Sequence, residues 1–191
     1  MTNLFFNNGF QKAALFITSC FFVLACENDT RVIEGLTEKV VLKEEARQVE
    51  SMLTQDGKLR ARLKAPLMYR IFGDTLLTEF PRSLHCDFYD DSSRLESWLD
   101  SKYGIYYEGL GKVYLRDSVT VITTKGDTLK SPDLWWDQNT KLFYTDKYAI
   151  YNGIGKNIVG GKGLVATQDL SSVTFHYPTG TVQVSEDGGL K

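Results

Sequence analysis

One decapeptide leaves the backbone little choice: residues 57–66, GKLRARLKAP. Leu59, Ala61, Leu63 and Ala65 fall on one side of an extended chain; Lys58, Arg60, Arg62 and Lys64 fall on the other. Strict alternation over this length specifies a half-buried strand, with an apolar face inward and a cationic face in water. A helix would scatter the same four cations around its circumference. The ending Leu63-Lys64-Ala65-Pro66 is echoed by Leu99-Asp100-Ser101-Lys102, Leu129-Lys130-Ser131-Pro132 and Leu164-Val165-Ala166-Thr167. The intervals of about 30 to 36 residues suit a repeated β unit. The longest echo places Leu95, Ser97, Leu99 and Ser101 where the first strand has its inward set.

Turn signals divide the rest into short strands. After 48–53 and a turn at Gln55-Asp56-Gly57, strands are expected at 67–72, 75–80, 83–89, 95–101, 103–107, 112–116 and 118–124. Further strands follow at 128–131, 134–137, 142–145, 148–151, 164–167, 172–177 and 181–184. Gly, Asp and Asn turns separate them, Pro132 divides one pair, and Pro81 marks an edge or a break. Tyr and Phe are abundant and Pro is scarce, as strands require. The pattern predicts an all-β protein of repeated antiparallel strands: a sandwich, roll or barrel.

The N-terminus reads as a targeting segment. Lys12 precedes the apolar run 13–25, AALFITSCFFVLA, which is short for a membrane span. Val23-Leu24-Ala25-Cys26 resembles a lipoprotein processing box that would lipidate Cys26. Ile17-Thr18-Ser19-Cys20 is a rival box, and an uncleaved anchor is the alternative to both. Three regions are therefore expected: a signal peptide or anchor at 1–25, a charged stalk at 26–47 and a folded domain at 48–191. Residues 38–47 could form a short helix within the stalk. The formal net charge of −2, without a basic block, argues against a nucleic-acid partner.

Catalytic signals are few. His85 and His176 lie in different strands, and no ligand set has zinc spacing. Asp87, Asp90 and Asp91 could serve beside His85 in acid–base chemistry, but an aspartate-rich turn after a strand is the commoner arrangement. The glycine-rich 153–163 fails the spacing of a phosphate loop and reads as a hairpin region of close backbone approach. Cys86 shares a face with Leu84 and Phe88, as a small core residue would. Of Trp135 and Trp136 one must face inward and one outward. With tyrosines 103, 106, 107, 114, 144, 148 and 151 they form either a glycan-binding platform or cross-strand pairs.

Taken together, these features resemble the LptC family, the membrane-anchored periplasmic component of the lipopolysaccharide exporter. The resemblance rests on the anchoring segment, the charged spacer, the opening strand Gly57 to Ala65, and Pro81 after 75–80. It continues with Trp98 in Leu95–Ser101 and with Tyr114-Leu-Arg-Asp-Ser-Val-Thr-Val121, similar to the family's L-x-G-x-V-x-V strand. There Asp117 or Ser118 stands where glycine is usual. Thr128-Leu-Lys-Ser-Pro-Asp-Leu-Trp-Trp136 completes the set.

The resemblance implies an open, twisted β-jellyroll at the periplasmic face of the inner membrane, with no catalytic role and no cofactor. Its inward stripe would be a lipid groove: Leu59, Ala61, Leu63, Leu76, Thr78, Phe80, Leu95, Leu99, Val113, Leu115, Val119, Val121 and Tyr177. Small residues Ala61, Ala65, Ser97 and Ser101 would leave room for lipid A acyl chains to slide. Implied partners are lipopolysaccharide, the periplasmic β domains of the inner-membrane ABC transporter at the N-terminal edge, and an LptA-like bridge protein at the edge near 172–184. The alternative is an exported lipoprotein with a solid core that binds glycan or protein through exposed aromatics.

Overall fold

The structure is a computed structural model that describes residues 42–183. The expected signal peptide or anchor, Cys20, Cys26 and the stalk up to residue 41 lie outside the described residues. Fourteen antiparallel strands form one hydrogen-bonded network. They are β1 Leu42–Gln55, β2 Lys58–Phe72, β3 Leu76–Phe80, β4 Leu84–Tyr89, β5 Leu95–Ser101, β6 Tyr103–Tyr107 and β7 Lys112–Thr123. Then come β8 Thr128–Asp137, β9 Leu142–Thr145, β10 Ala149–Gly153, β11 Lys156–Gly160, β12 Leu164–Thr167, β13 Val173–Phe175 and β14 Pro178–Val182. A 3-10 turn, Glu108–Leu110, precedes β7. Among the described residues no α-helix forms, and no helix is long and apolar enough to cross a membrane.

β1 starts at Leu42, so residues 42–47, expected in the stalk and considered for a helix, are extended. They pair with the far half of β2, Leu42 opposite Phe72 and Arg47 opposite Leu67. A ladder partner of this length outweighs the weak local preference of an uncapped helix.

Long strands divide the sheet. Residues 61–64 of β2 pair with β4, while residues 69–72 pair with β3. β7 does the same, its first half on β6 and its second on β5. Because β4 pairs with β5 and β3 with β6, the six strands β2-β4-β5-β7-β6-β3 close a circuit. β8 lies along β7 and divides in turn. Its end carries β9, β12 and β13; its start carries β10, β11 and β14. Among the described residues no strand pair closes these two branches, and this half is called the fork. The branches meet where 161–163 and 176–177 carry the chain between them. There the Gly161 N–H donates to the Tyr177 carbonyl at 3.1 Å and the His176 N–H to that of Gly163 at 2.9 Å.

The echoed tetrapeptides explain the division. At Ala65-Pro66, Ser101-Lys102 and Ser131-Pro132 the chain crosses from one half-sheet to the other, and each small residue there is buried. Ala166, the fourth echo, is buried within β12. The Ser101 hydroxyl lies 2.8 Å from the carbonyls of both Tyr103 and Arg116, and Ser131 Oγ donates to the Tyr148 carbonyl at 3.2 Å. Ser97 Oγ donates to the Gln168 carbonyl at 2.8 Å. Ser97 and Ser101, expected to leave space for sliding chains, instead hold the backbone.

Two prolines expected to punctuate strands lie inside them. Pro66 falls where Gln48 interrupts the β1 ladder with φ 53°, between the Val49–Ala65 and Arg47–Leu67 pairs. Pro132 falls opposite Asp117 and Ser118, at φ 66° and 67°, in the gap between the Arg116–Asp133 and Val119–Ser131 pairs. An imide nitrogen costs no ladder bond where the residue opposite has left the ladder, singly at Gln48 and as a bulge at Asp117-Ser118.

One core runs through both halves. Phe88, Leu99, Leu115, Val119, Val121, Leu129, Leu134, Phe143 and Leu164 are each at most 1% exposed. Burying each such side chain stabilises the fold by about 1.5–3 kcal/mol. Leu99, Leu115, Val119 and Val121 are therefore packed interior. Two other residues of the expected stripe leave it altogether. Leu95 is 42% exposed, because Glu96 is an extra residue between the Tyr89–Leu95 and Phe88–Ser97 pairs and reverses the alternation. Tyr177 is 69% exposed at the turn before β14, with φ 53° and the Lys162 ammonium 4.3 Å from its ring centroid.

The cationic face is also amended. Arg60 is the extra residue between the Thr54–Leu59 and Leu53–Ala61 pairs, and its side chain is only 15% exposed. The same bulge leaves Leu59 half-buried, out of phase with Ala61.

Candidate functional site

The two half-sheets of the circuit enclose an apolar cavity of about 320 Å³. Ala61 and Leu63 of β2 face it with Cys86 of β4; Met68, Thr78, Phe80, Tyr106 and Val113 face it from the other half-sheet. Met52 and Leu53 of the edge strand β1 and Trp136 of β8 complete the apolar wall. A methylene occupies much the same volume as a water molecule, so the space suits a chain of roughly ten carbons.

Five residues of the expected groove are thus brought together: Ala61, Leu63, Thr78, Phe80 and Val113. Leu59 and Leu76 are half-buried outside this lining. Met68 escaped sequence reasoning because the crossing at Pro66 resets the alternation, so Ala65 and Met68 both point inward. Trp136 shares its parity with Leu134, and that signal was readable.

The mouth is polar. Glu108 accepts from Thr78 Oγ1 at 2.9 Å and from Arg70 Nε and Nη2 at 3.3 and 3.2 Å. The Tyr106 hydroxyl donates to Gln138 Oε1 at 3.1 Å, and burial, with Glu108 nearby, raises its pKa. Burial likewise pushes the Cys86 thiol far up, which keeps it protonated and inert.

A second, polar cavity of about 480 Å³ adjoins the first and shares Leu53, Ala61, Trp136 and Gln138 with it. Arg60, Asn139, Lys141, Gln168 and Asp56 are among its other walls. Arg60 Nη1 is paired with Asp91, which also lies 3.7 Å from the Lys141 ammonium. The Arg60 pairing depresses the Asp91 pKa.

Away from the cavity, the groups considered for catalysis hold structure. His85 Nδ1 is 2.7 Å from Asp100 and its Nε2 3.0 Å from Asp87, so both ring nitrogens are engaged. Partial burial alone would lower the His85 pKa, but the two carboxylates outweigh it and the net shift is upward. Asp90 caps its own turn through the Ser92 and Arg94 amides. Trp135 faces outward and stacks with Tyr107 and Tyr144, its ring centroid also 4.9 Å from that of Tyr114. These faces are largely occupied by one another, as in cross-strand pairs.

No curated protein matches the chain. The family model described as "Lipopolysaccharide-assembly, LptC-related" matches residues 14–181. A match of that extent, on an all-β chain with an apolar cavity between its layers, means that the protein belongs to the LptC-related family and is a component of lipopolysaccharide transport.

Proposed function

We propose that the chain is the non-catalytic subunit that receives lipopolysaccharide from the inner-membrane ABC transporter and passes it to the next periplasmic bridge protein. In this reading the domain is an open β-jellyroll held at the periplasmic face of the inner membrane by lipidated Cys26 or an uncleaved helix. The observation that carries it is the apolar cavity between the half-sheets, bounded by Leu63, Phe80, Met68 and Trp136. Each acyl methylene moved from water into such a space gains about 0.8 kcal/mol.

The strand edges support the assembly. Among the described residues β1 has β2 as its single ladder partner, and β13 and β14 each have one partner. Such edges accept a strand from a similar domain. The β1 edge would meet the transporter's periplasmic β domains, and the β13 and β14 edges an LptA-like bridge protein. A photocrosslinker at position 63 is expected to label lipopolysaccharide, and one at position 121, in the closed core, is not. Equal labelling at both, or none at 63 while a known carrier labels well, overturns the groove reading.

A further inference from the structure

The indole of Trp136 is 9% exposed and forms the wall common to the apolar and polar cavities. Its Nε1–H is withdrawn from solvent and has no hydrogen-bond partner, although Phe88 packs against the ring at 5.0 Å between centroids. A buried donor without a partner is uncommon and carries a desolvation penalty that the fold does not recover. Arg60 Nε, on the wall of the polar cavity, is in the same state. The described residues leave no other buried side-chain nitrogen or oxygen unpaired. Both orphans are donors, one on the wall that the apolar and polar spaces share and the other on the polar space alone.

We infer that Trp136 sets the register of the bound lipid by donating from Nε1 to the carbonyl oxygen of an acyl ester or acyl amide. The hydrocarbon chain then occupies the space lined by Leu63, Met68 and Phe80. The polar group beyond the carbonyl lies toward Arg60 and Lys141. An alkyl chain without a carbonyl fits the same apolar space but leaves the indole unpaired. The inference rests on the groove reading above and deepens it, from a cavity that takes acyl chains to one that recognises where the chain begins.

The test uses the full chain and a matched pair of neutral probes, sucrose monododecanoate, which carries an ester, and dodecyl maltoside, which has no carbonyl. In the wild type, the ester probe is expected to move the Trp136 indole N–H proton resonance downfield, while the glycoside leaves it nearly unmoved. Trp136→Phe keeps an aromatic wall and removes the donor. It should weaken the ester probe about fivefold, the effect of one neutral hydrogen bond, and leave the glycoside within about twofold. The indole resonance requires no variant, so it remains decisive if Trp136→Phe folds poorly. If both probes bind and move the indole alike, the carbonyl contact is wrong while the groove stands. If neither binds, the groove reading and this inference fall together.

Discussion

In the circuit, β2 and β7 each divide between two half-sheets whose outer strands meet again through β4–β5 and β3–β6. In the fork, β8 divides in the same way, but its branches meet through the chain at 161–163 and 176–177 and not through a strand pair, and β13 and β14 stay at its edge. The same local device, a small buried residue at a crossing beside a bulge or proline, thus gives two outcomes. The strand-paired circuit leaves an apolar cavity between its layers, whereas the fork keeps free edges and fills its interior with Phe143, Ala149, Leu164 and Ala166. The apolar cavity lies in the circuit, and two of the three free-edged strands lie in the fork. On the proposed reading the circuit holds the ligand, while the edges that would meet neighbours lie in both halves, β1 on the circuit and β13 and β14 on the fork.

The sharpest way to break this picture is to place a charge at two positions of the same inward stripe. Val119 is sealed in the core where the circuit meets β8, whereas Leu63 borders the cavity. Val119→Asp is expected to cost about 4 kcal/mol or more, because the carboxylate has no partner and no water. Leu63→Asp should cost only about 1–2 kcal/mol, since its carboxylate reaches the cavity, yet it should abolish lipid crosslinking from position 80, across the same cavity, in folded protein. Urea unfolding of the two variants checks the order. Equal losses would mean that the cavity is as closed as the core.

Gly163 tests whether the fork melts by itself. It has φ +94°, and a Cβ there would run into the Thr145 carbonyl, which is backbone and cannot step aside. Gly163→Ala is expected to cost about 2–4 kcal/mol. The loss should appear in hydrogen exchange as reduced protection of β9, β12 and β13, with β4 and β5 retaining theirs. A uniform loss across the molecule would show that circuit and fork unfold as one unit.

These contrasts also show what the sequence could reveal. Alternation located nearly every strand, the echoed small residues marked real crossings, and Trp136 could be assigned inward beside Leu134. What failed were positions where one inserted residue changes the phase: Glu96 turned Leu95 outward, and Arg60 left its cationic face for the interior. A bulge is decided by the partner strand, so no window of local sequence announces it. Nor could alternation separate cavity from core, since Leu63 and Val121 look alike until the distance between layers is known.

Near neutral pH a contribution to stability is expected from the circuit, through His85 between Asp87 and Asp100. Its folded pKa lies above the ordinary value of 6.5. The contribution is therefore fully present below 6.5 and is lost as pH rises through the raised folded value. His85→Gln should flatten the stability profile from pH 6.5 upward, where wild type becomes less stable as pH rises. Because the ring is partly in water, the effect should be small. A His85→Gln profile parallel to wild type would remove this pin.

The smallest effect belongs to the hinge that circuit and fork share. Asp117 and Ser118 form the bulge of β7 opposite Pro132, both at positive φ, where glycine would sit without strain. A left-handed conformation costs an L-residue about 1–2 kcal/mol, and glycine avoids that cost while losing about 0.5–1 kcal/mol to unfolded-state entropy. Ser118→Gly should therefore stabilise the protein by about 0.5 kcal/mol, shifting the urea midpoint upward with an unchanged slope. Ser118 is exposed, and no side-chain hydrogen bond holds it, so the backbone term stands nearly alone. If Ser118→Gly instead destabilises as glycine does in an ordinary strand, the bulge is not held by the register of β7 on β8. The crossing at Ser131-Pro132 would then need another explanation.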